Sequence, residues 1–457
     1  MHVFNLARPQ PGEPTQKQLR RNIFRMLWPV TIDSVLQMTV GMVATAMVGR
    51  LGATAIGAVG LSSRVTQISW AIFAGIAMGV TVLVARCVGA KQIEEARKIA
   101  YQGLISALIL IAGMTVVSFA FAEPFLRSMN VDGELLVACL QYLSIALFTL
   151  PLIAVIQISG GIMRGMGDTK IPMLVSLAVN LVNVAGCWLL IYGNLGFPAL
   201  GIRGAAIASL LGQSVGAILA LAVIFLPISK LQLKRADIGL LNFKEIKRIM
   251  RIGIPSSAGD LFWQVASIVM TGLIVTFGTV PLAAHNLGMQ AEGISYMPSI
   301  GLTIAVTAFV GQSLGAKNLN LAKRYIQEIF LWALVFCSLA SLMLIFGGRF
   351  LLSLLTDDPE VITLGAKYLF LMGFCQIPLD MAGVINGVLK GAGDTKWVMY
   401  IQAIGMWLLR IPLSYLLGKY LGFGIMGVWW AMTIDLFVRF ILVIIRYSQG
   451  KWQTMEI

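Results

Sequence analysis

Charge is what this 457-residue sequence lacks: only 12% of it is Asp, Glu, Lys or Arg. An ordinary soluble chain carries about a quarter. Too little polar surface remains to coat a water-soluble globule, and disorder, a coiled coil and a disulfide scaffold are excluded on the same ground. Histidine is nearly absent, at two residues, and no metal cluster can be assembled around His285. The five cysteines (Cys87, Cys139, Cys187, Cys337, Cys375) all fall within or at the ends of apolar stretches, so no structural disulfide is expected. What is abundant is apolar: 58% hydrophobic residues and a mean hydropathy of +0.86. The formal charge of +14 fits either a nucleic-acid partner or a membrane orientation signal. The placement of the charges decides between them.

A membrane-spanning helix needs about 20 mostly apolar residues. Twelve stretches qualify, near 27–49, 58–85, 99–121, 135–162, 171–193, 200–227, 252–277, 282–311, 325–354, 361–388, 397–418 and 424–446. Residues 1–26 are polar and basic and read as a cytosolic tail, with a short surface helix at Gln18–Met26 and no signal peptide. Twenty-five of the 34 Lys and Arg fall on the tail, the even-to-odd connections and the C-terminus; six fall on the odd-to-even connections. Arg64, Arg410 and Arg439 lie inside spans. The asymmetry predicts cytoplasmic termini and leaves no need for nucleic acid.

The sequence is written twice. Pro29 matches Pro255, Gly52 matches Gly278, Gly75 matches Gly301, and Gly89-Ala-Lys91 matches Gly315-Ala-Lys317. Arg164-Gly-Met-Gly-Asp-Thr-Lys170 matches Lys390-Gly-Ala-Gly-Asp-Thr-Lys396, and Leu195-Gly-Phe197 matches Leu421-Gly-Phe423. Each pair lies 226 residues apart (255 − 29). Six spans per copy is an even number, so both copies enter the bilayer from one side, as parallel repeats about an axis along its normal. The expected fold is an all-α integral membrane protein, with twelve transmembrane helices in two pseudo-twofold six-helix lobes around a central cavity. The expected parts are a tail at 1–26, an N-lobe at 27–228, a basic cytosolic loop at 229–251, a C-lobe at 252–447 and a tail at 448–457. This arrangement suits alternating access.

The paired Gly-x-Gly-Asp-Thr-Lys segments, Met47-Val-Gly-Arg-Leu-Gly52, Met297-Pro-Ser-Ile-Gly301 and Val310-Gly-Gln-Ser-Leu-Gly-Ala316 resemble the multidrug and toxic compound extrusion (MATE) transporters of the prokaryotic NorM/DinF-like kind. The resemblance spans roughly residues 20–450. It implies a multi-pass protein of a prokaryotic inner membrane, functional as a monomer. Its activity is then export of cationic amphipathic compounds in exchange for Na⁺ or H⁺, with no cofactor and no enzymatic step. It also implies that Asp380 occupies the cation-site position of the NorM-type branch. The N-lobe departs from the pattern: Ala44 and Cys187 stand where many relatives carry aspartates.

A charge inside the bilayer costs at least ~2.5–3.5 kcal/mol, which makes each one a candidate for function. Asp33, Asp260, Glu292 and Asp380 are the coupling candidates. Gln37, Gln264 and Gln376 lie four residues from Asp33, Asp260 and Asp380, on the same helix face, where a pair offers several oxygens to one small cation. Asn180 and Asn183, with Met38, Met42, Trp263, Tyr296 and Met297, complete the expected cavity lining. Arg410, Asp435 and Arg439 read as a structural ion pair on neighbouring antiparallel spans. Asp168 and Asp394 read as helix N-caps, because the Gly-Asp-Thr-Lys loops are too short to cradle phosphate. A lipid-linked oligosaccharide flippase of the same superfamily is the alternative, and it calls for a more basic cavity. An intramembrane enzyme lacks the necessary catalytic groups.

Overall fold

The computed structural model describes residues 9–128, 131–226, 231–233, 241–455 and 457. Among them there are helices and no strand, as expected where every backbone polar group must be satisfied within its own segment. In chain order the helices are α1 (Gln16–Gly49), α2 (Ala53–Gly89), α3 (Ile93–Ser128), α4 (Gly133–Ala146), α5 (Thr149–Gly165), α6 (Lys170–Tyr192) and α7 (Ile202–Phe225). There follow α8 (Phe243–Val275), α9 (Thr279–Ser295), α10 (Met297–Gly315), α11 (Leu319–Ser353) and α12 (Pro359–Gly391). Helix α13 (Thr395–Ala403) runs on through a π-helical stretch at Ile404–Arg410, α14 (Ile411–Ser414) and a second π-helical stretch at Tyr415–Tyr420. Helix α15 (Gly424–Ser448) closes the fold.

Eleven of these segments are long and apolar enough to cross a membrane, and the pair α4–α5, bent by 49°, makes a twelfth. The span expected at 282–311 is likewise interrupted: α9 ends at Ser295 and α10 starts at Met297, with Pro298 in its first turn. Proline lacks the N–H that a continuous helix would need there. Several helices are much longer than the hydrocarbon layer. At about 1.5 Å per residue, the 34 residues of α1 reach roughly 50 Å and run well past a layer of about 30 Å.

The chain divides into two compact units, one formed by residues up to Thr31 with Ala258–Ile457, the other by Ile32–Ser257. These boundaries differ from the lobes expected from the hydropathy pattern. The first four turns of α1 belong with the second half of the chain, and the start of α8 belongs with the first half. The segment read as a tail is accordingly packed: Leu19, Ile23, Met26 and Leu27 are buried in a core with Leu302, Val306, Ile329 and Val388. No separate surface helix exists at Gln18–Met26; those residues are the first part of α1.

Glycine makes both exchanges possible. A Cβ on Gly301 would sit 2.7 Å from Leu27 Cδ1, and a Cβ on Gly75 would sit 2.5 Å from the backbone nitrogen of Ser257. Gly75 and Gly301 are repeat partners, as are Thr31 and Ser257, so the same close approach is built once in each unit. Lys234 and Arg235 of the basic connecting loop lie outside the described residues, as does the side chain of Arg64.

Polar contacts anchor the N-terminal segment. Glu13 accepts hydrogen bonds from Asn318, Asn320 and Arg324, and its side chain is only 4% exposed. Burial acts to raise the pKa of Glu13, but the bonds from the Gln10 backbone, Asn318, Asn320 and Arg324 prevail and hold it at about 2, against an ordinary 4.5. Glu328 likewise accepts from Gln16, Arg20 and Trp332.

Candidate functional site

Helices α8, α9, α10, α12 and α15, with the π-helical stretch that follows α13, surround a cavity of about 480 Å³ inside the first unit. Its lining is mostly apolar, with Trp263, Met289, Tyr296, Met372, Met406 and Met432 among the larger side chains. Flexible thioethers and aromatic faces suit ligands of varied shape. Glu292, Asp380, Arg410 and Arg439 supply the charge.

Each carboxylate is held by a neighbour. Glu292 is 8% exposed and accepts a 2.5 Å hydrogen bond from the hydroxyl of Tyr368, itself 1% exposed. Asp380 is 3% exposed and accepts from Gln376 Nε2 at 2.9 Å, the contact expected of residues four apart on a helix. The other end of the Gln376 amide, Oε1, is buried without a partner, and so is Oδ1 of Asn386. Unpartnered buried oxygens near a carboxylate are costly in a core and are the ligand type that small hard cations prefer.

Asp435 lies behind the cavity wall, fully buried at 0% exposure. Arg439 bonds it with two nitrogens, each at 2.9 Å, and Arg410 bonds it at 2.8 Å. Arg439 also donates to Gln402. The polar core continues away from the cavity, where Trp429 donates its ring N–H to Nδ1 of His285 at 3.3 Å.

Not every residue expected at the site is found there. Trp263 and Tyr296 line the cavity with Glu292 and Asp380. Gln376 touches Asp380 from within the core, while Asp260, Gln264 and Met297 do not line the cavity. Asp260 interacts instead with the charge of Lys390. Asp33, Gln37, Met38, Met42, Asn180 and Asn183 belong to the other unit. There Asp33 contacts Gln37 and Ser176 and feels the charge of Arg164. Its Oδ1 is buried without a partner, as is Nδ2 of Asn180. Asn183 donates to Ser209 at 3.0 Å. Gln37 and Met42 are exposed on α1.

The two Asp-Thr-Lys segments have separate fates. Asp168 accepts from the backbone nitrogens of Lys170 and Ile171 and so caps α6. Asp394 makes no such cap, contrary to the reading of the loop; it is 2% exposed and paired with Arg446 at 2.7 Å. A guanidinium within reach offers a charged partner that outbids two backbone amides. Tyr368, Asn386 and Gln402 were missed by the sequence reading, since a single polar residue in an apolar run does not reveal which way it points. All five cysteines are buried thiols. Among the described residues no cluster of three or more His, Cys, Asp and Glu is placed to hold a metal ion.

The MatE family model matches residues 29–189 and 255–416, two segments that begin one repeat length apart. The chain is 28% identical to a probable multidrug resistance protein NorM of Thermotoga maritima over 95% of its length and 94% of that protein's. It is 27% identical to a probable multidrug resistance protein NorM of Bacillus cereus, over 94% and 96% of the two chains. A Vibrio cholerae MATE transporter has the same fold, with a TM-score of 0.87 at 22% identity over 95% of this chain and 97% of that one. With the family model covering most of both repeats, the chain belongs to the MATE family, membrane transport proteins rather than enzymes.

Proposed function

We propose that this chain is a secondary active efflux antiporter. It expels cationic amphipathic compounds in exchange for Na⁺ or H⁺, by alternating access, from a prokaryotic inner membrane with both termini in the cytoplasm. The observation that carries the reading is the cavity itself: a largely apolar chamber whose wall holds two buried carboxylates, Glu292 and Asp380. An apolar body with a positive charge fits such a chamber, and so does the ion exchanged for it.

Charge counting supports exchange of one monovalent ion. In and behind the wall stand three carboxylates, Glu292, Asp380 and Asp435, against two guanidiniums, Arg410 and Arg439. One negative charge is left over, and in a medium of low dielectric constant it must be met by a proton, a metal cation or an organic cation. Competition for that one charge is the physical basis of antiport: substrate and coupling ion each stabilise the site, and each makes the other easier to release. Asp380 has the better surroundings for a small cation, with the free Oε1 of Gln376 on the same face of α12. Glu292, bonded to a hydroxyl, has the better surroundings for a proton. The excess of acid over base also argues against the flippase alternative, whose anionic lipid-linked substrates need the opposite balance. A parallel repeat within one chain suits function as a monomer.

The test is uptake of a fluorescent organic cation into everted vesicles, with Na⁺ and proton gradients imposed separately, for the wild type and Asp380→Asn. Gradient-driven accumulation in the wild type that falls to the level of empty vesicles in the variant is expected. Undiminished coupled transport by Asp380→Asn removes that residue from the mechanism.

A further inference from the structure

Where α11 turns back into α12, the charges of the first unit stand in a definite order. On α12 the residues Glu360, Thr363, Lys367, Phe370 and Phe374 recur at intervals of three and four, which puts them on one stripe of the helix. Each of them is exposed. From the start of the helix inward, the stripe runs carboxylate, hydroxyl, ammonium and then two aromatic rings, which meet edge to face at 5.1 Å. Arg349 of α11 joins Lys367 in the wall of a hollow of about 490 Å³, with Phe346, Phe370 and Met426. Glu360 lines a second hollow beside it, and Thr363 and Lys367 belong to both.

Close backbone packing forms the floor. A Cβ on Gly373 would lie 2.5 Å from Ile345 Cγ1, and one on Gly348 would lie 3.2 Å from Leu369 Cβ. Ser341 donates to the carbonyl of Gly373 at 2.7 Å. With the two helices held this close, larger side chains stand at the flanks, where Phe346 is 82% exposed. The side chains of Arg349, Lys367 and Glu360 have no ion-pair or hydrogen-bond partner among the described residues. A single cation at a membrane interface is satisfied by water. Two cations on one apolar hollow, with a carboxylate about two turns nearer the helix start, complement a ligand that carries opposite charges in the same order.

We propose that this groove binds a membrane phospholipid with a primary-amine headgroup, a phosphatidylethanolamine. Arg349 and Lys367 take its phosphate, the one as a fork of donors and the other as a point charge. Glu360 takes its ammonium, and an acyl chain runs along Phe346, Phe370 and Phe374. Seven residues separate Glu360 from Lys367, a rise of about 10 Å, and the reach of the lysine stem toward water shortens that gap toward headgroup size. A glycerol headgroup would leave Glu360 without a counter-charge. A choline headgroup covers its nitrogen with methyl groups and offers the carboxylate no hydrogen-bond donor. The site depends neither on the compound exported nor on the ion exchanged for it.

The test is native mass spectrometry of the full chain, released from micelles that hold equal amounts of palmitoyl-oleoyl phosphatidylethanolamine, phosphatidylglycerol and phosphatidylcholine. The wild type is expected to retain phosphatidylethanolamine about threefold over either of the others, the size of one exposed ion pair. Glu360→Gln is expected to remove that preference, and Lys367→Gln to lower retention of all three lipids about threefold. Both positions are exposed, so neither variant removes a core contact. Equal retention of the three lipids by the wild type overturns the site, as does a preference unchanged in Glu360→Gln or a retention unchanged in Lys367→Gln. Displacement of the lipid by inorganic phosphate assigns the two cations to a free anion and also overturns it. A lipid-free dimer that Phe346→Glu converts to a monomer places a second copy of the chain in the groove, with the same consequence.

Discussion

In the unit that contains the cavity, Arg410 and Arg439 converge on Asp435, while Glu292 and Asp380 face an open chamber. The other unit repeats the backbone with other side chains. At the positions one repeat earlier stand Thr66 for Glu292, Ala154 for Asp380, Ser209 for Asp435 and Gln213 for Arg439. The bond between Arg410 and Asp435 becomes a neutral one from Asn183 to Ser209, with Asn183 one position away from the strict counterpart of Arg410. Tyr142 is retained opposite Tyr368, but no carboxylate stands at the counterpart of Glu292. In that unit Asp33 interacts with the charge of Arg164. A duplicated scaffold can thus keep its packing and concentrate its costly ionic groups in one copy, because packing is set by shape along whole helices and charge by a few positions.

The largest expected effect separates the units by function. Asp380→Asn should abolish gradient-coupled efflux in vesicles, whereas Asp33→Asn should reduce it and leave a measurable coupled rate; equal losses would erase the functional contrast. Next comes stability. Asp435→Ala leaves two buried guanidiniums without a counter-ion and should cost about 3–5 kcal/mol. Ser209→Ala removes one neutral hydrogen bond and should cost about 0.5–1.5 kcal/mol. Thermal unfolding in detergent, read by intrinsic tryptophan fluorescence, compares the two.

A finer contrast lies in the paired glycines. A methyl on Gly75 meets the backbone of Ser257 and the carbonyl of Gly253 at 2.5 and 2.7 Å, atoms that cannot turn aside. On Gly301 the nearest atom is the end of the Leu27 side chain, at 2.7 Å, which can rotate. Both substitutions by alanine fall in the overpacking range of about 1–3 kcal/mol, with Gly75→Ala the more destabilising in the same melting assay.

A pH-dependent effect concerns the N-terminal segment. The Glu13 carboxylate has a folded-state pKa of about 2 against an ordinary 4.5. Its depressed pKa contributes stability that is complete above about pH 4.5 and disappears as the pH falls through about 2. The difference in melting temperature between wild type and Glu13→Gln should therefore be present at pH 6 and shrink toward zero at the acid end of that range.

Much of this was legible before any coordinates. The twelve apolar stretches, the repeat and the pairing of Gln376 with Asp380 follow from local periodicity, because residues four apart on a helix are neighbours whatever else the chain does. The interruptions at Tyr296 and at Leu147-Phe148 were not foreseen, since membrane helices accept proline and glycine without always breaking. Asp168 and Asp394 sit in near-identical hexapeptides, yet one caps a helix and the other binds Arg446, 52 positions further along the chain. Nothing in the hexapeptide distinguishes them.

Composition and pattern alone determined that the chain resides in a membrane, that it is helical, that it is built twice and which carboxylates must lie within its spans. These are properties of hydrophobic transfer and helical period, which act over a turn or a span. The tertiary structure decided three other matters: the exchange of the first turns of α1 and α8 between units, the gathering of Glu292 and Asp380 in one chamber, and the position of Arg410 and Arg439 in front of Asp435. Those depend on contacts between residues dozens to hundreds of positions apart, and the partner of a buried charge is chosen by packing, not by its neighbours in sequence.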